Sequence, residues 1–303
     1  MDVRAALREG IARLRASKVL SYTLAAELLL MHALDRDRTW LYTNPENPLD
    51  SATAGKYFAL VARRAAGEPT QYLTGKQEFW GLEFEVTPAV LIPRPETEHV
   101  VEVALERLGE RGIKINMKTG APSPGLHIAD IGTGSGCLAV ALAHDLPHAE
   151  IIATDISAPA LEIARRNAAR HKVSDRIRFV QTNLLEGISV SPRATPHAPL
   201  GFDLIVSNPP YIAHTDAPSL PTEVRDHEPR SALFGGPTGV ETYARLIEQA
   251  GAQLLPGAVL VLELGYDSAD RVRRMLDAER RWANISITSD LAGIPRVIAA
   301  ERV

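Results

Sequence analysis

A chain of 303 residues, 45% of them apolar, can bury a large core, and its length fits one large domain with a smaller companion. A net charge of −4 and a pI near 6.2 argue against a protein wrapped around nucleic acid, so no direct nucleic-acid binding is expected. One cysteine excludes a disulfide framework, no apolar run reaches membrane-spanning length, and Met1-Asp2-Val3-Arg4 lacks a secretory pattern; the expected setting is cytoplasmic, with no membrane contact.

Residues 1–75 read as helices. Val3, Leu7, Ile11 and Leu14 recur at helical spacing, Leu24, Leu28, Leu29 and Met31 mark a second segment, and Tyr57, Phe58, Leu60 and Val61 a third, with Asp50 or Ser51 as its cap. This block holds no nucleophile or metal spacing and reads as a scaffold or a partner-docking domain. Residues 76–90 form the next unit: Gln77-Glu78-Phe79-Trp80 and Leu82-Glu83-Phe84-Glu85-Val86 flank Gly81 and predict a β-hairpin linker. A third domain, 91–303, opens on Leu91-Ile92-Pro93-Arg94-Pro95-Glu96-Thr97-Glu98, a proline-stiffened lead into a helix that runs to about Gly109. Lys114–Gly125 is polar and rich in Gly, Pro and Ser, which predicts a surface loop.

From Leu126 strand and helix alternate, the pattern of a mainly parallel, Rossmann-like α/β sheet covered on both faces. Strands are predicted at 126–131, 150–155, 176–181, 202–207, 258–264, 284–288 and 296–300, and helices near 135–145, 158–171, 238–254 and 267–279. Leu185–Gly201 is too proline-rich for a helix and reads as a loop.

Two turns carry chemistry. Asp130-Ile131-Gly132-Thr133-Gly134-Ser135-Gly136 closes the first strand of this sheet and opens a helix, where glycines let the backbone approach a ligand and helix amides are free. A dinucleotide fingerprint needs glycine at 137, which is Cys137; acidic-x-G-x-G-x-G is instead the spacing expected for S-adenosylmethionine. Asp130 can meet its ammonium group, and Asp155, ending the next strand, can take both ribose hydroxyls. Asn183 and Leu184 follow the third strand, placed to border the adenine. The other turn is Asn208-Pro209-Pro210-Tyr211, just past the strand Phe202–Ser207. Its two prolines fix φ and remove two backbone donors, and Asn208, preceding a proline, is pushed out of the helical region. A carboxamide, freed carbonyls and an aromatic ring at a strand's carboxyl end suit gripping a planar NH2 group. Asn208 and the Pro209 carbonyl would accept its hydrogens and Tyr211 would stack on its plane.

These turns with Asp155 resemble class I S-adenosylmethionine-dependent methyltransferases that modify amino groups. Gly67-Glu68-Pro69, Tyr72-Leu73-Thr74-Gly75, Glu78-Phe79-Trp80, residues 91–98 and Glu228-Pro229 resemble, more closely, the PrmC/HemK family. That resemblance implies methylation of the side-chain amide nitrogen of the glutamine in the Gly-Gly-Gln motif of class 1 peptide chain release factors, a step bearing on translation termination. It implies a helical N-terminal domain, a hairpin, and a seven-stranded sheet whose last strand is antiparallel. It assigns Gly132, Thr133, Gly134, Ser135, Gly136 and Asp155 to the cofactor, Leu184 to its adenine pocket, and Asn208, Pro209, Pro210 and Tyr211 to the substrate glutamine; Asp130, Asn183 and Asn208 join the expected cofactor set by their places at the strand ends. Leu184 stands where some members carry an aromatic, and the 114–125 and 188–201 segments look longer than the family's connections.

Methyl transfer of this kind needs no covalent nucleophile, so Cys137 reads as a packed helix residue. The nine histidines are read as offering neither an H-x-x-x-H pair nor clustered cysteine spacing, and no metal is expected. Asp226-His227-Glu228 reads as a solvated loop. Rival readings are glutamine methylation of a ribosomal protein, which Pro93-Arg94-Pro95-Glu96 disfavours, and adenine-N6 DNA methylation, which would need a basic DNA-reading region. A cofactor-binding regulator without turnover would have no use for Asn208 and Tyr211.

Overall fold

The computed structural model describes residues 1–111, 125–188 and 201–303, so nearly all of the 114–125 and 188–201 segments lie outside the described residues. The chain divides into two units, Met1–Lys76 with Leu220–His227, and Gln77–Ser219 with Glu228–Val303.

In the first unit, α1 (Val3–Ala16) starts where Asp2 accepts the Ala5 amide at 2.7 Å, and α2 (Tyr22–Leu34) follows. A short α3 (Arg38–Thr43), not anticipated from periodicity, is started by Asp37 capping Trp40. Asp50 caps α4 (Ser51–Ala65) through the Ala52 and Thr53 amides, and α5 (Thr70–Thr74) ends at Gly75. Leu14, Leu29, Leu30, Tyr57 and Val61 fill the core. Leu24 is exposed and Ala25 and Ala26 are buried, so the inward stripe of α2 is rotated from the leucine pattern. Glu27, also buried, faces inward and is met by the Tyr42 hydroxyl and by Arg38 Nε at 2.9 Å. Arg64 holds Glu223 at 2.5 Å, tying residues 220–227 to this unit. A Cβ at Gly10 would sit 1.8 Å from the fully buried Tyr57 hydroxyl. Gly10→Ala is therefore expected to lower stability by about 1–3 kcal/mol, read from the denaturant midpoint at unchanged slope.

The second unit starts with the hairpin β1 (Lys76–Phe79) and β2 (Leu82–Glu85), whose first residue belongs to the first unit. A 3-10 turn at Pro95–Thr97 leads into α6 (Glu98–Glu110). There follow β3 (His127–Ile131), α7 (Cys137–Asp145), β4 (Glu150–Asp155), α8 (Ala158–Arg170), β5 (Ile177–Gln181), β6 (Phe202–Ser207) and β7 (Ile212–Ala213). Past α9 (Thr222–His227), which belongs to the first unit, the short helix α10 (Arg230–Leu233) leads to β8 (Phe234–Gly236), α11 (Glu241–Gln253), β9 (Leu254–Glu263), α12 (Ala269–Ala278), β10 (Trp282–Ser289) and β11 (Pro295–Arg302).

Seven strands form one sheet in the order β10-β11-β9-β6-β3-β4-β5. The last strand is antiparallel to both its neighbours, inserted between β9 and β10, while the other five pair in parallel. Alternation along the strands feeds two cores. Ile128, Leu204, Val206 and Val261 face α6 and α7, and Ala129, Ile205, Leu260 and Leu262 face α11 and α12. Asn167 of α8 docks the hairpin: its Oδ1 accepts the Glu85 amide at 2.7 Å while Nδ2 donates to the Glu85 and Ser135 carbonyls. Among the described residues, no helix is long and apolar enough to cross a membrane.

Candidate active site at the sheet switch point

From β3 the chain builds outward through β4 to β5, then returns to place β6 on the opposite side of β3. Ligands of open α/β sheets sit in the crevice opened by such a reversal. Ile131 pairs with Ser207, whose hydroxyl donates to the Ile131 carbonyl at 2.6 Å, so the glycine loop and the Asn208 turn leave adjacent strand ends side by side.

Gly132, Gly134 and Gly136 all have positive φ, at 72°, 54° and 83°. At 132 and 134 a Cβ would meet no atom within 4 Å, so these glycines keep the space above the loop open. At 136 a Cβ would lie 3.1 Å from the Ala164 Cβ, and glycine there permits close packing of the loop on α8. The helix begins at Cys137, two residues later than the pattern predicts, because residue 136 is left-handed. Cys137 packs against the core, and burial pushes its thiol up to about 12, which disfavours a thiolate nucleophile.

Asp130 lies fully buried beneath the loop. Its Oδ2 accepts from Thr133 Oγ1 at 2.6 Å and from the Ala139 amide at 3.1 Å, while Oδ1 is buried without a partner among the described residues. Burial pushes this carboxyl up to about 7 against those two hydrogen bonds. Asp155 accepts the Gly134 amide on Oδ2 and the Ser157 amide on Oδ1, both at 2.9 Å, which leaves a lone pair on each oxygen. Burial raises its carboxyl as well.

A cavity of about 300 Å³ opens here. Gly132, Gly134, Asp155, Asn183, Leu184, Asn208 and Pro210 line it. Asp130, Thr133, Ser135, Gly136, Pro209 and Tyr211 are not among its lining: Thr133 and Ser135 are buried and turned into the loop's own structure. Asn183 bonds Glu186 at 3.0 Å, and Leu184 adopts a left-handed φ of 55° that places it on the wall.

Tyr211 is anchored. Its ring lies so close to Gly265 that a Cβ there would come within 2.7 Å, and its hydroxyl donates to Glu263 Oε1 at 3.3 Å. Burial and the Glu263 charge both raise the phenol well above its ordinary value. Asn208 Nδ2 donates to Thr97 Oγ1 at 3.1 Å, and Thr97 donates to Glu263 Oε2 at 2.5 Å. Glu263 is 2% exposed, and burial pushes its carboxyl up to about 7. Reading by motif passes over Glu263; the signal for it is one acid in the otherwise apolar run Ala258–Leu264.

The expected solvated loop at Asp226-His227-Glu228 needs correction throughout: Asp226 and His227 close α9, and Glu228 is buried. Glu228 is 5% exposed, ion-pairs with Arg94 and accepts the Ile92 amide at 3.4 Å, because the strap 91–94 needs an acceptor for its backbone. The reading that no H-x-x-x-H pair is present needs correction: His144 and His148 stand at i, i+4, but α7 ends at Asp145, which His144 meets at 2.8 Å, so they do not share a helix face. Among the described residues no three His, Cys, Asp or Glu side chains are grouped to hold a metal ion.

Residues 5–75 match the family model described as PrmC N-terminal domain, and residues 114–223 match the methyltransferase small domain. The chain is 40% identical over 302 residues to the release factor glutamine methyltransferase of Koribacter versatilis, covering 100% of this chain and 99% of the relative. It is 42% identical over 302 residues to the protein of that name from Moorella thermoacetica, again covering 100% and 99%. Among solved structures, the hMettl16 catalytic domain in complex with MAT2A 3′UTR hairpin 6 is similar with a TM-score of 0.55 at 19% identity, over 80% of this chain and 81% of that one, a likeness of fold alone. Near-complete coverage at this identity, with both family models in chain order, shows that the chain belongs to the release factor glutamine methyltransferase family.

Proposed function

We propose that the protein transfers a methyl group from S-adenosylmethionine to the side-chain amide nitrogen of the glutamine in the Gly-Gly-Gln motif of class 1 peptide chain release factors. One observation carries this reading most: a carboxamide whose NH2 is already engaged by Thr97 stands on the wall of a cavity floored by the glycine loop. Its oxygen is thereby turned to accept, as a substrate NH2 group requires. The names of the relatives supply the release factors and set the ribosomal-protein and DNA readings behind.

The residues present fit the cofactor. Asp130 Oδ1, buried and without a partner among the described residues, can receive positive charge, the two oxygens of Asp155 retain lone pairs for hydroxyls, and Leu184 offers apolar surface to a base. When bound there, S-adenosylmethionine supplies an electrophilic methyl carbon on a sulfonium. The chain's task is to make an amide nitrogen nucleophilic, although its lone pair is delocalised into the carbonyl. Asn208 Oδ1 and the Pro209 carbonyl accept the two N–H hydrogens, which aims the lone pair and offsets positive charge growing on nitrogen; the carbon–nitrogen bond forms as the carbon–sulfur bond breaks, and the nitrogen then gives up one of those protons to solvent water. Pro209 and Pro210 contribute no competing amide donors, and Tyr211 offers a ring to the plane of the substrate amide. Residues 1–75 serve substrate docking, 76–90 are the linker, and 91–303 perform the transfer.

Incubating the protein with methyl-labelled cofactor and a purified release factor tests the reading. Label is expected on the factor with its Gly-Gly-Gln glutamine intact and not on the factor with that glutamine replaced; equal labelling of both would refute it. A pH series tests the cofactor site. Asp130 is neutral below about 7, and a cationic ligand favours its ionised form, so affinity is expected to rise with pH and level off above that value. Calorimetry from about pH 5.5 to about 8 should show this rise in the unmodified chain and a flat profile in Asp130→Asn. A flat profile in both would remove Asp130 from the site.

A further inference from the structure

We propose that Thr97 and Glu263 are positioning residues that decide which end of the Asn208 carboxamide faces the substrate. The inference rests on the transfer reading above and deepens it. A carboxamide has two ends of nearly equal size and opposite hydrogen-bonding sense. Only its oxygen end can accept from a substrate NH2; reversed, it would set donor against donor and leave the substrate nitrogen unaligned.

The choice is made two bonds away. A threonine hydroxyl has one hydrogen, and Thr97 gives it to Glu263 Oε2 at 2.5 Å. What Thr97 then presents to Asn208 is a lone pair, so Asn208 must answer with Nδ2, as it does at 3.1 Å. The chain of donors runs one way, from amide to hydroxyl to carboxylate, because its last member can only accept. Glu263 also takes the Tyr211 hydroxyl on its other oxygen, so one buried carboxylate orders both functional side chains of the turn. It is placed to do so from the end of β9, beside β6, while Thr97 arrives from the turn before α6.

Protonation would undo this. A neutral carboxyl can donate to Thr97, whose own hydrogen is then free for the Asn208 oxygen, and the carboxamide reverses. The titratable and charged groups that bear on Glu263 are Glu96 beside Thr97, Arg296 from β11, Tyr211 after β6, Tyr243 from α11 and Cys137 from α7. Tyr243 donates to the Glu263 backbone carbonyl at 2.8 Å, and Arg296 is shared with Glu96 at 3.7 Å and Asp290 at 2.8 Å, so among the described residues no cation is dedicated to the carboxylate. Burial is the larger influence and brings its titration to about 7.

The test measures kcat and KM for methyl transfer to the purified release factor at saturating S-adenosylmethionine, across pH, with the full chain. Thr97→Val is expected to lower kcat by roughly 10–100-fold with KM within about threefold, and Thr97→Ser to restore kcat to within about threefold of the original. The unmodified chain should lose kcat as pH falls through about 7, and Thr97→Val should show a smaller loss, since Glu263 then acts only through the Tyr211 hydroxyl. An undiminished limb in Thr97→Val, or equal losses in the Val and Ser variants, would overturn the proposal. Should Thr97→Val not fold, Glu263→Gln, which cannot titrate, must still abolish the acid limb for the proposal to stand. If the unmodified chain transfers no methyl group at all, it is the transfer reading that fails.

Discussion

Replacing Asn208 by alanine is expected to lower kcat by roughly 10²–10³ while the dissociation constant for S-adenosylmethionine stays within about threefold. The split follows from the geometry. Asn208 lies on the cavity wall, but its one side-chain hydrogen bond among the described residues goes sideways to Thr97, and the loop that would hold the cofactor is ordered by Asp130, Asp155 and its own glycines. Removing the carboxamide takes away an acceptor whose contact strengthens as positive charge grows on the substrate nitrogen. That is a transition-state effect and belongs in kcat. Calorimetry with the variant and single-turnover transfer to a release factor would measure the two quantities. A variant that lost cofactor binding in proportion to kcat would show that Asn208 is a cofactor ligand first.

Asp155→Ala is expected to do the reverse. Each of its oxygens accepts a backbone amide, at Gly134 and Ser157, and each retains a lone pair toward the cavity. Hydrogen bonds to a charged group contribute about 1.5–3 kcal/mol, so losing the ribose contacts should weaken the cofactor by roughly 10–100-fold. The thermal midpoint of the unliganded variant separates lost ligation from a disordered glycine loop. With cofactor brought to saturation, kcat should recover to within about threefold of the original, since no reacting atom depends on this carboxylate. An unchanged dissociation constant would remove Asp155 from the site.

Much of this architecture was legible in the linear sequence because it rests on local physics. Runs such as Ile151-Ile152-Ala153 and Leu204-Ile205-Val206 are apolar on both sides, which suits only strands covered on both faces, and both fall in central strands. Asp50 marks a helix start because a short carboxylate reaches the first free amides. The glycine spacing and the paired prolines restrict φ residue by residue, so both turns could be placed at strand ends before any contact was known. Leu24 was misread for a related reason: leucine spacing marks an apolar stripe, but burial of Ala25 and Ala26 depends on how closely α2 meets its neighbours.

What the amino-acid order determined by itself was therefore the set of elements, the open glycine loop and the rigid Asn208 corner. The antiparallel last strand was implied by the family resemblance, but only the tertiary structure decided that it slots between β9 and β10, that Glu228 turns inward to Arg94, and that Glu263 meets Thr97 across 166 residues of chain. The physical reason is range. Backbone preference and hydrophobic period act over a few residues, whereas a chain of hydrogen bonds from Asn208 to a buried carboxylate exists only once β6 and β9 lie side by side and the turn before α6 closes over their ends.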